Sequence, residues 1–261
     1  MNDINKVLMF DTEHGSHTLG GEQEINKLFN CPVLKPAQFN DFRNIITSMY
    51  TTKRIEVEKK ISDDLSVKEV QEQTVLKDGV NVDALVIDSF SELAKKFQRS
   101  LLDSSGTMKL NSWGKLKNTL DTLLEFITKV PGILIVTCHS KTETLEDGRT
   151  KIKPYIDGST KEDISKWFDF VLYTYTKKNG KSEDYMWRTK HSEIYEHAKD
   201  RTDLLDADMK QDFQPVIKAA RDKGFSNVRI LIVGSPGTGK TKSLSTLINE
   251  RKKDGDKNNN S

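Results

Sequence analysis

The chain has 261 residues, 35% of them hydrophobic and 31% charged, with 41 lysines and arginines against 39 aspartates and glutamates. That composition predicts a soluble globular protein, one large domain or two small ones, with enough chain to bury a full core. It excludes a membrane-spanning helix, because no apolar run approaches the roughly 18 residues needed, while a near-neutral charge neither requires nor forbids a nucleic acid partner.

In chain order, Met1 to Phe10 carries no basic leader followed by a long apolar core, which predicts a cytoplasmic location. Cys31 and Cys138 form no disulfide framework and are expected to be reduced. Asn5 to Asp11 reads as a short buried strand, and Phe39, Phe42, Ile45, Ile46, Met49 and Tyr50 recur with the spacing of an amphipathic helix. Thr51 to Lys77 is highly charged and fits helix, strand or insertion equally. Val82 to Asp88 is a second apolar strand, followed at once by a helix, since Ser89 stands in capping-box spacing before Glu92.

A further helix is expected from about Trp113 to Lys129, closed by Pro131-Gly132 and followed by the apolar strand Ile133 to His139. A polar segment with Gly148 and Gly158 comes next. Phe168 to Thr176 and Tyr185 to Lys190 then read as a hairpin turning at Asn179-Gly180. A helix over Asp208 to Lys223 leads to Val228 to Val233, the most apolar strand, and a last helix opens near Gly239. Residues 1–250 are expected to form a single domain, and 251–261 a disordered polar tail. There is no internal repeat. Apolar strands alternating with helices predict an α/β fold with a mainly parallel sheet covered on both faces.

Gly234-Ser235-Pro236-Gly237-Thr238-Gly239-Lys240-Thr241 fits G-x-x-x-x-G-K-[ST] at every position, directly after a strand and opening a helix. Such a loop turns successive backbone N–H groups towards phosphate oxygens, and the helix N-terminus adds its positive end. Lys240 would reach the β and γ phosphates of ATP, and the Thr241 hydroxyl would bind Mg²⁺. The strand and helix that carry this loop cannot bury both their faces alone, so earlier strands must complete the sheet and supply the metal-side acid. Asp88 ends one such strand and is the candidate carboxylate, with a helix cap as its plainer reading. Glu13, at another strand tip, is the candidate for orienting the attacking water, or else a solvated loop acid. Asp11 reads as a turn or capping residue. His139, at a third strand end, is a candidate γ-phosphate sensor, or a satisfied strand-end histidine.

Together LMFDTEHG, ALVIDSFSEL and the helix and strand that end in ILIVTCHSK resemble the catalytic-glutamate, Walker B and sensor segments of the RecA-like ATPases. Among these, the chain is most similar to the small phage proteins of the Sak single-strand annealing group. The resemblance implies a RecA-like P-loop fold, here circularly permuted, because the family places its P-loop strand first and this chain places it after the other motifs. Moving Phe225 to Ser261 in front of Met1 restores the family order.

The resemblance also implies a homo-oligomer, ring or filament, with nucleotide between subunits and a neighbour's basic residues completing the site. Lys199 and Arg201 resemble the K-x-R finger of related ring ATPases, with Arg188 and Lys190 as the alternative pair and surface ion pairs as the plainer reading of each. Single-stranded DNA contacts would fall on Ser104 to Ser112, with Lys109, and on Ser140 to Pro154, with Lys141, Arg149, Lys151 and Lys153. Glu143, Glu146 and Asp147 leave the second segment a charge of only +1. A single-strand-binding protein is a further expected partner, and no membrane is. The function so implied is a Mg²⁺-dependent ATPase of DNA annealing or recombination, phage-encoded by resemblance and so acting in a host cytoplasm. A P-loop small-molecule kinase and a nucleotide-gated DNA-binding protein with little turnover are the competing readings.

Overall fold

The computed structural model describes residues 4–62, 65–180 and 182–248. The elements are β1 (Val7–Asp11), α1 (Glu22–Phe29), α2 (Phe39–Met49), β2 (Tyr50–Ser62), β3 (Leu65–Leu76), β4 (Ala84–Asp88) and α3 (Phe90–Arg99). They continue with α4 (Leu110–Thr128), β5 (Ile133–Cys138), β6 (Ser140–Thr144), β7 (Thr150–Pro154), α5 (Thr160–Asp163), β8 (Phe170–Asn179) and β9 (Ser182–Arg188). Last come β10 (Lys199–Asp200), β11 (Asp208–Lys210), α6 (Phe213–Asp222), β12 (Val228–Val233) and α7 (Lys240–Ser243).

One sheet runs in the order β1-β4-β5-β12-β8-β9-β11, with β10 added against β8. The five strands from β1 to β8 are mutually parallel, while β9, β10 and β11 pair antiparallel. β1, β4, β5 and β12 are buried along their whole length. That is why they read as continuous apolar runs rather than as alternating ones. Their alternate side chains feed two cores. Leu8, Phe10, Leu85, Ile87, Leu134, Val136, Leu231 and Val233 pack with α2, α3 and α4. Val7, Met9, Val86, Ile135, Ile230 and Ile232 face α1 and α6. Among the described residues no helix is long and apolar enough to cross a membrane.

Local chemistry sets the helix boundaries. Ser89 starts α3 by accepting a hydrogen bond from the Glu92 N–H, 3.3 Å. Asp212 starts α6 in the same way, through the Gln214 N–H at 2.9 Å. The helix expected from Asp208 therefore begins at Phe213, and Asp208–Lys210 is instead a short strand beside β9. Pro215 explains the shift: it is tolerated in the first turn of α6 but would break a helix begun five residues earlier.

The undecided segment after Tyr50 is a long antiparallel ribbon, β2 against β3, from Tyr50↔Leu76 outward. The polar stretch after His139 is a second hairpin, β6 against β7. The helix expected after Gly239 has one α turn and continues as a 3-10 turn over Leu244–Leu247. The predicted polar tail 251–261 lies outside the described residues.

Candidate active site

The parallel strands β1, β4, β5 and β12 all end at the same edge of the sheet, which brings Glu13, Asp88, His139 and the P-loop together. Two glycines of the loop are dictated by space. A Cβ at Gly234 would stand 1.6 Å from Thr174 Oγ1, and one at Gly239, where φ is +88°, would stand 2.6 Å from Gln211 Oε1. Thr174 and Thr238 share a hydrogen bond of 2.5 Å between their hydroxyls. Gln211 donates to the Thr238 and Met186 carbonyls, at 2.8 and 3.1 Å, which ties the loop to the β9–β11 edge. On its other flank Ser235 meets the Ser140 hydroxyl at 2.9 Å. Gly237, with φ +77°, and the neighbouring Pro236 form the exposed tip of the loop.

Lys240 is buried inside this turn, its Nζ donating to the carbonyls of Gly234 at 2.8 Å and Ser235 at 2.9 Å. Burial pulls the ammonium below its ordinary pKa, against the opposing pull of Asp88 and Glu13. Thr241 Oγ1 donates to Asp88 Oδ2 at 2.8 Å. The other carboxylate oxygen accepts from Thr137 Oγ1 at 2.5 Å. Burial pushes the Asp88 carboxyl up despite these two donors, and the nearby Glu13 and Asp11 add to the rise. A hydroxyl and a carboxylate side by side are the hard oxygen donors that Mg²⁺ prefers, and Gly15 closes over both, its Cβ position 3.4 Å from Thr241 Oγ1 and 3.5 Å from Asp88 Oδ2. The residues present fit the ion.

Glu13 is half-buried, and its Oε1 lies 2.6 Å from His139 Nε2. The same oxygen accepts from the Ser89 hydroxyl. Burial alone would raise this carboxyl, but the hydrogen bonds from His139 and Ser89, with the charges of His139 and Lys240, hold it below the usual glutamate value. Asp11 organises the loop that presents Glu13, accepting from the N–H groups of Glu13, Gly15 and Ser16 at 3.2, 2.9 and 3.1 Å. Thr12 clamps this strand end to the next one through the Ser89 carbonyl and N–H, at 2.8 and 2.9 Å. The His139 N–H donates to Ser91 Oγ at 2.9 Å, while its Nδ1 is buried without a hydrogen-bond partner among the described residues.

Thr137, Ser89, Thr12 and Gln211 were not among the sequence candidates. Thr137 had a signal, as the one hydroxyl in the otherwise apolar run Ile133 to Cys138. Thr137→Val keeps the shape and removes the donor, leaving an Asp88 oxygen unsatisfied. It is expected to cost about 1–3 kcal/mol of stability and to raise the Mg²⁺ concentration for half-maximal turnover. Denaturant unfolding and a Mg²⁺ titration of turnover check the two effects.

The basic candidates lie elsewhere. Lys199 opens β10 and Arg201 follows it, and β10 pairs with the first residues of β8, at the end of the sheet away from the P-loop. Lys199 donates to the Ser165 carbonyl at 2.9 Å, and Arg201 pairs with Asp169 at 2.7 Å. Neither joins this chain's own phosphate site. Arg188 is held by Asp208 at 2.8 Å, and Lys190 by Asp200 and Asp203 at 3.2 and 3.1 Å.

On the β6–β7 hairpin, Arg149, Lys151 and Lys153 do extend in alternation, but each is paired. Their partners are Asp147, at 2.7 Å, Glu196, at 2.7 Å, and Glu162, at 2.9 Å. Lys141 lies 5.8 Å from the centre of the Tyr155 ring. Lys109 caps the start of α4, where Leu110 is 87% exposed and Trp113 38% exposed.

A family model described as an AAA domain matches residues 1–202. β12 and the P-loop lie beyond that match. Neither the curated proteins nor the solved structures compared with the chain gave a match. The mixed α/β architecture, with a mainly parallel sheet between helices, fits a P-loop NTPase fold, and the matched family is one of nucleotide-binding ATPases. With more than three quarters of its length matched, the chain belongs to the AAA domain family.

Proposed function

We propose that the chain is a Mg²⁺-dependent ATPase of RecA-like fold, circularly permuted, that binds single-stranded DNA and promotes annealing or homologous recombination in a phage. The observation that carries the ATPase part is the hydrogen bond from Thr241 to Asp88, which joins residues 153 positions apart, one in the first turn of α7 and the other at the end of β4. A P-loop that is specific by itself and a strand-end acid that is weak alone fit a phosphate-and-metal site when they converge.

When bound, Mg²⁺ would neutralise charge on the β and γ phosphates as it shifts towards the leaving group. Thr241 and Asp88 would hold it, and Thr137 keeps the Asp88 carboxylate turned towards Thr241. Lys240 supplies a fixed positive charge inside the loop. Glu13, kept ionised by its donors, takes up the proton of the attacking water. His139 orients Glu13 and is the proposed reporter of the terminal phosphate. Lys199 or Arg201 would complete the site of a neighbouring subunit in an oligomer, with Arg201 first leaving Asp169.

The permuted reading has three supports. Read from β12 onward, the strands arrive as P-loop, Glu13, Asp88 and His139 strands, the family order. Ile4 and Ile248, near the two ends of the described chain, pack against the same core layer. The AAA match also ends before the P-loop strand begins.

The test is ATP turnover with and without single-stranded DNA. Stimulation by DNA is the expected result, and turnover indifferent to DNA would overturn the recombination reading while leaving the ATPase. Glu13→Gln is expected to lower turnover by about 10²-fold through loss of the base. DNA binding, followed by fluorescence anisotropy, should survive in that variant.

A further inference from the structure

The β2–β3 ribbon is an insertion that the phosphate site does not use. Its root joins α2 to the start of β4, at the end of the sheet opposite the P-loop, and is closed by the Lys77 N–H donating to the Met49 carbonyl at 2.9 Å. From there β3 runs for 12 residues, about 40 Å at the usual rise of a strand. Among the described residues the two strands pair only with each other. A two-stranded ribbon exposed on both faces is marginally stable in water, and its free edges are templates for another strand.

The free edge of β3 is self-complementary. Val70 is 62% exposed, the highest value among the described large apolar side chains of the ribbon. Lys68 precedes it by two positions and Glu72 follows it by two, so all three share one face. On β2 the opposite residues of that face are Glu58 for Lys68, Glu56 for Val70 and Arg54 for Glu72. Arg54 lies 3.5 Å from Glu72, and Lys68 lies 3.5 Å from Glu56.

We infer that this edge pairs with a second copy of the chain, β3 against β3 in antiparallel register about Val70. Val70 then faces the partner's Val70, and Lys68 of each copy faces Glu72 of the other. The row across the four strands reads Arg54, Glu72, Lys68 and Glu58, with alternating sign at every step. An edge built only to repel other strands would set like charges against one another in this register. Pairing also doubles the ribbon to four strands and covers the open β3 edge of each copy.

Sedimentation equilibrium of the full chain without nucleotide or Mg²⁺ tests this, which keeps the ribbon contact apart from the nucleotide-bridged oligomer proposed above. The wild type is expected to form a reversible dimer, and Lys68→Glu or Glu72→Lys alone to abolish it, because each sets two like-charged pairs across the axis. An equimolar mixture of the two variants is expected to restore dimers, since the two carboxylates that flank Val70 in one copy then face the two ammonium groups that flank it in the other. A wild type that stays monomeric through the micromolar range would overturn the proposal. So would association that survives in both single variants, which would come from another surface, or a mixture that stays monomeric.

Discussion

Lys240→Ala is expected to remove ATP turnover almost completely, by about 10³-fold or more in kcat/KM, equivalent to about 4 kcal/mol of transition-state stabilisation. The ammonium is the only cation buried in the loop, and it is held there before any ligand arrives by the carbonyls of Gly234 and Ser235. Alanine therefore removes a charge already in position rather than one recruited from solvent. Burial has already lowered the lysine's affinity for its proton, and phosphate oxygens would offset that cost by restoring a partner of opposite charge. The fold should tolerate the change, because the two carbonyls can take up water at the open face of the loop. The check is steady-state hydrolysis beside far-UV circular dichroism of the same variant. An unchanged rate with native secondary structure would remove Lys240, and with it the P-loop, from the mechanism.

The second large effect falls on stability. Arg229 lies in the middle of the sheet on β12, and its guanidinium donates to Thr128 O at 2.6 Å, Val130 O at 2.5 Å, Gly132 O at 2.9 Å and Val228 O at 3.1 Å. These include carbonyls at the C-terminus of α4, which have no partner within the helix and carry its negative end. Burial pulls the guanidinium down to about 10, against the charge of Asp169, so it remains protonated at neutral pH. Arg229→Ala should cost about 3–5 kcal/mol, because it leaves several buried acceptors and the Asp169 carboxylate without that cation. Arg229→Lys should recover only a minor part, since a single ammonium cannot fork to carbonyls on both sides of the turn. Urea unfolding of the three proteins checks the order, and an alanine variant within about 1 kcal/mol of the wild type would show that water replaces the guanidinium.

Much of this site was legible because of where it sits on the strands. A parallel strand buried on both faces must be apolar until it leaves the core, so a polar residue at its carboxyl end stands out, and Asp88, Glu13 and His139 were each marked in that way. The P-loop was legible from its glycines, whose spacing is imposed by the backbone. Polar chemistry inside apolar runs is less legible. Thr137 and Arg229 each interrupt a hydrophobic strand, and in both the interruption has a specific buried acceptor opposite it.

The ribbon escaped for the opposite reason. With solvent on both faces it has no core side to impose a period of two, and its charges mask the strand pattern. The helix expected from Asp208 is five residues shorter at its start, because Asp212 caps it and Pro215 can stand only in its first turn. The positions of Lys199 and Arg201 depended on β10 pairing back onto β8, a contact between distant residues that local pattern does not report.

The central place of β12 has a consequence for the birth of the protein on the ribosome. β12 lies between β5 and β8, yet it is synthesised after both and after every other described strand of the sheet. Until it emerges, two strands with almost entirely apolar inner halves wait with open edges, and the nascent chain holds a gap where its keystone belongs. Closing that gap requires contacts between residues about sixty positions apart on one side and almost a hundred on the other, the kind of topology that folds slowly. The loop that follows β12 thus becomes available only when the sheet is complete, so the proposed binding of nucleotide there must follow the folding of the whole sheet.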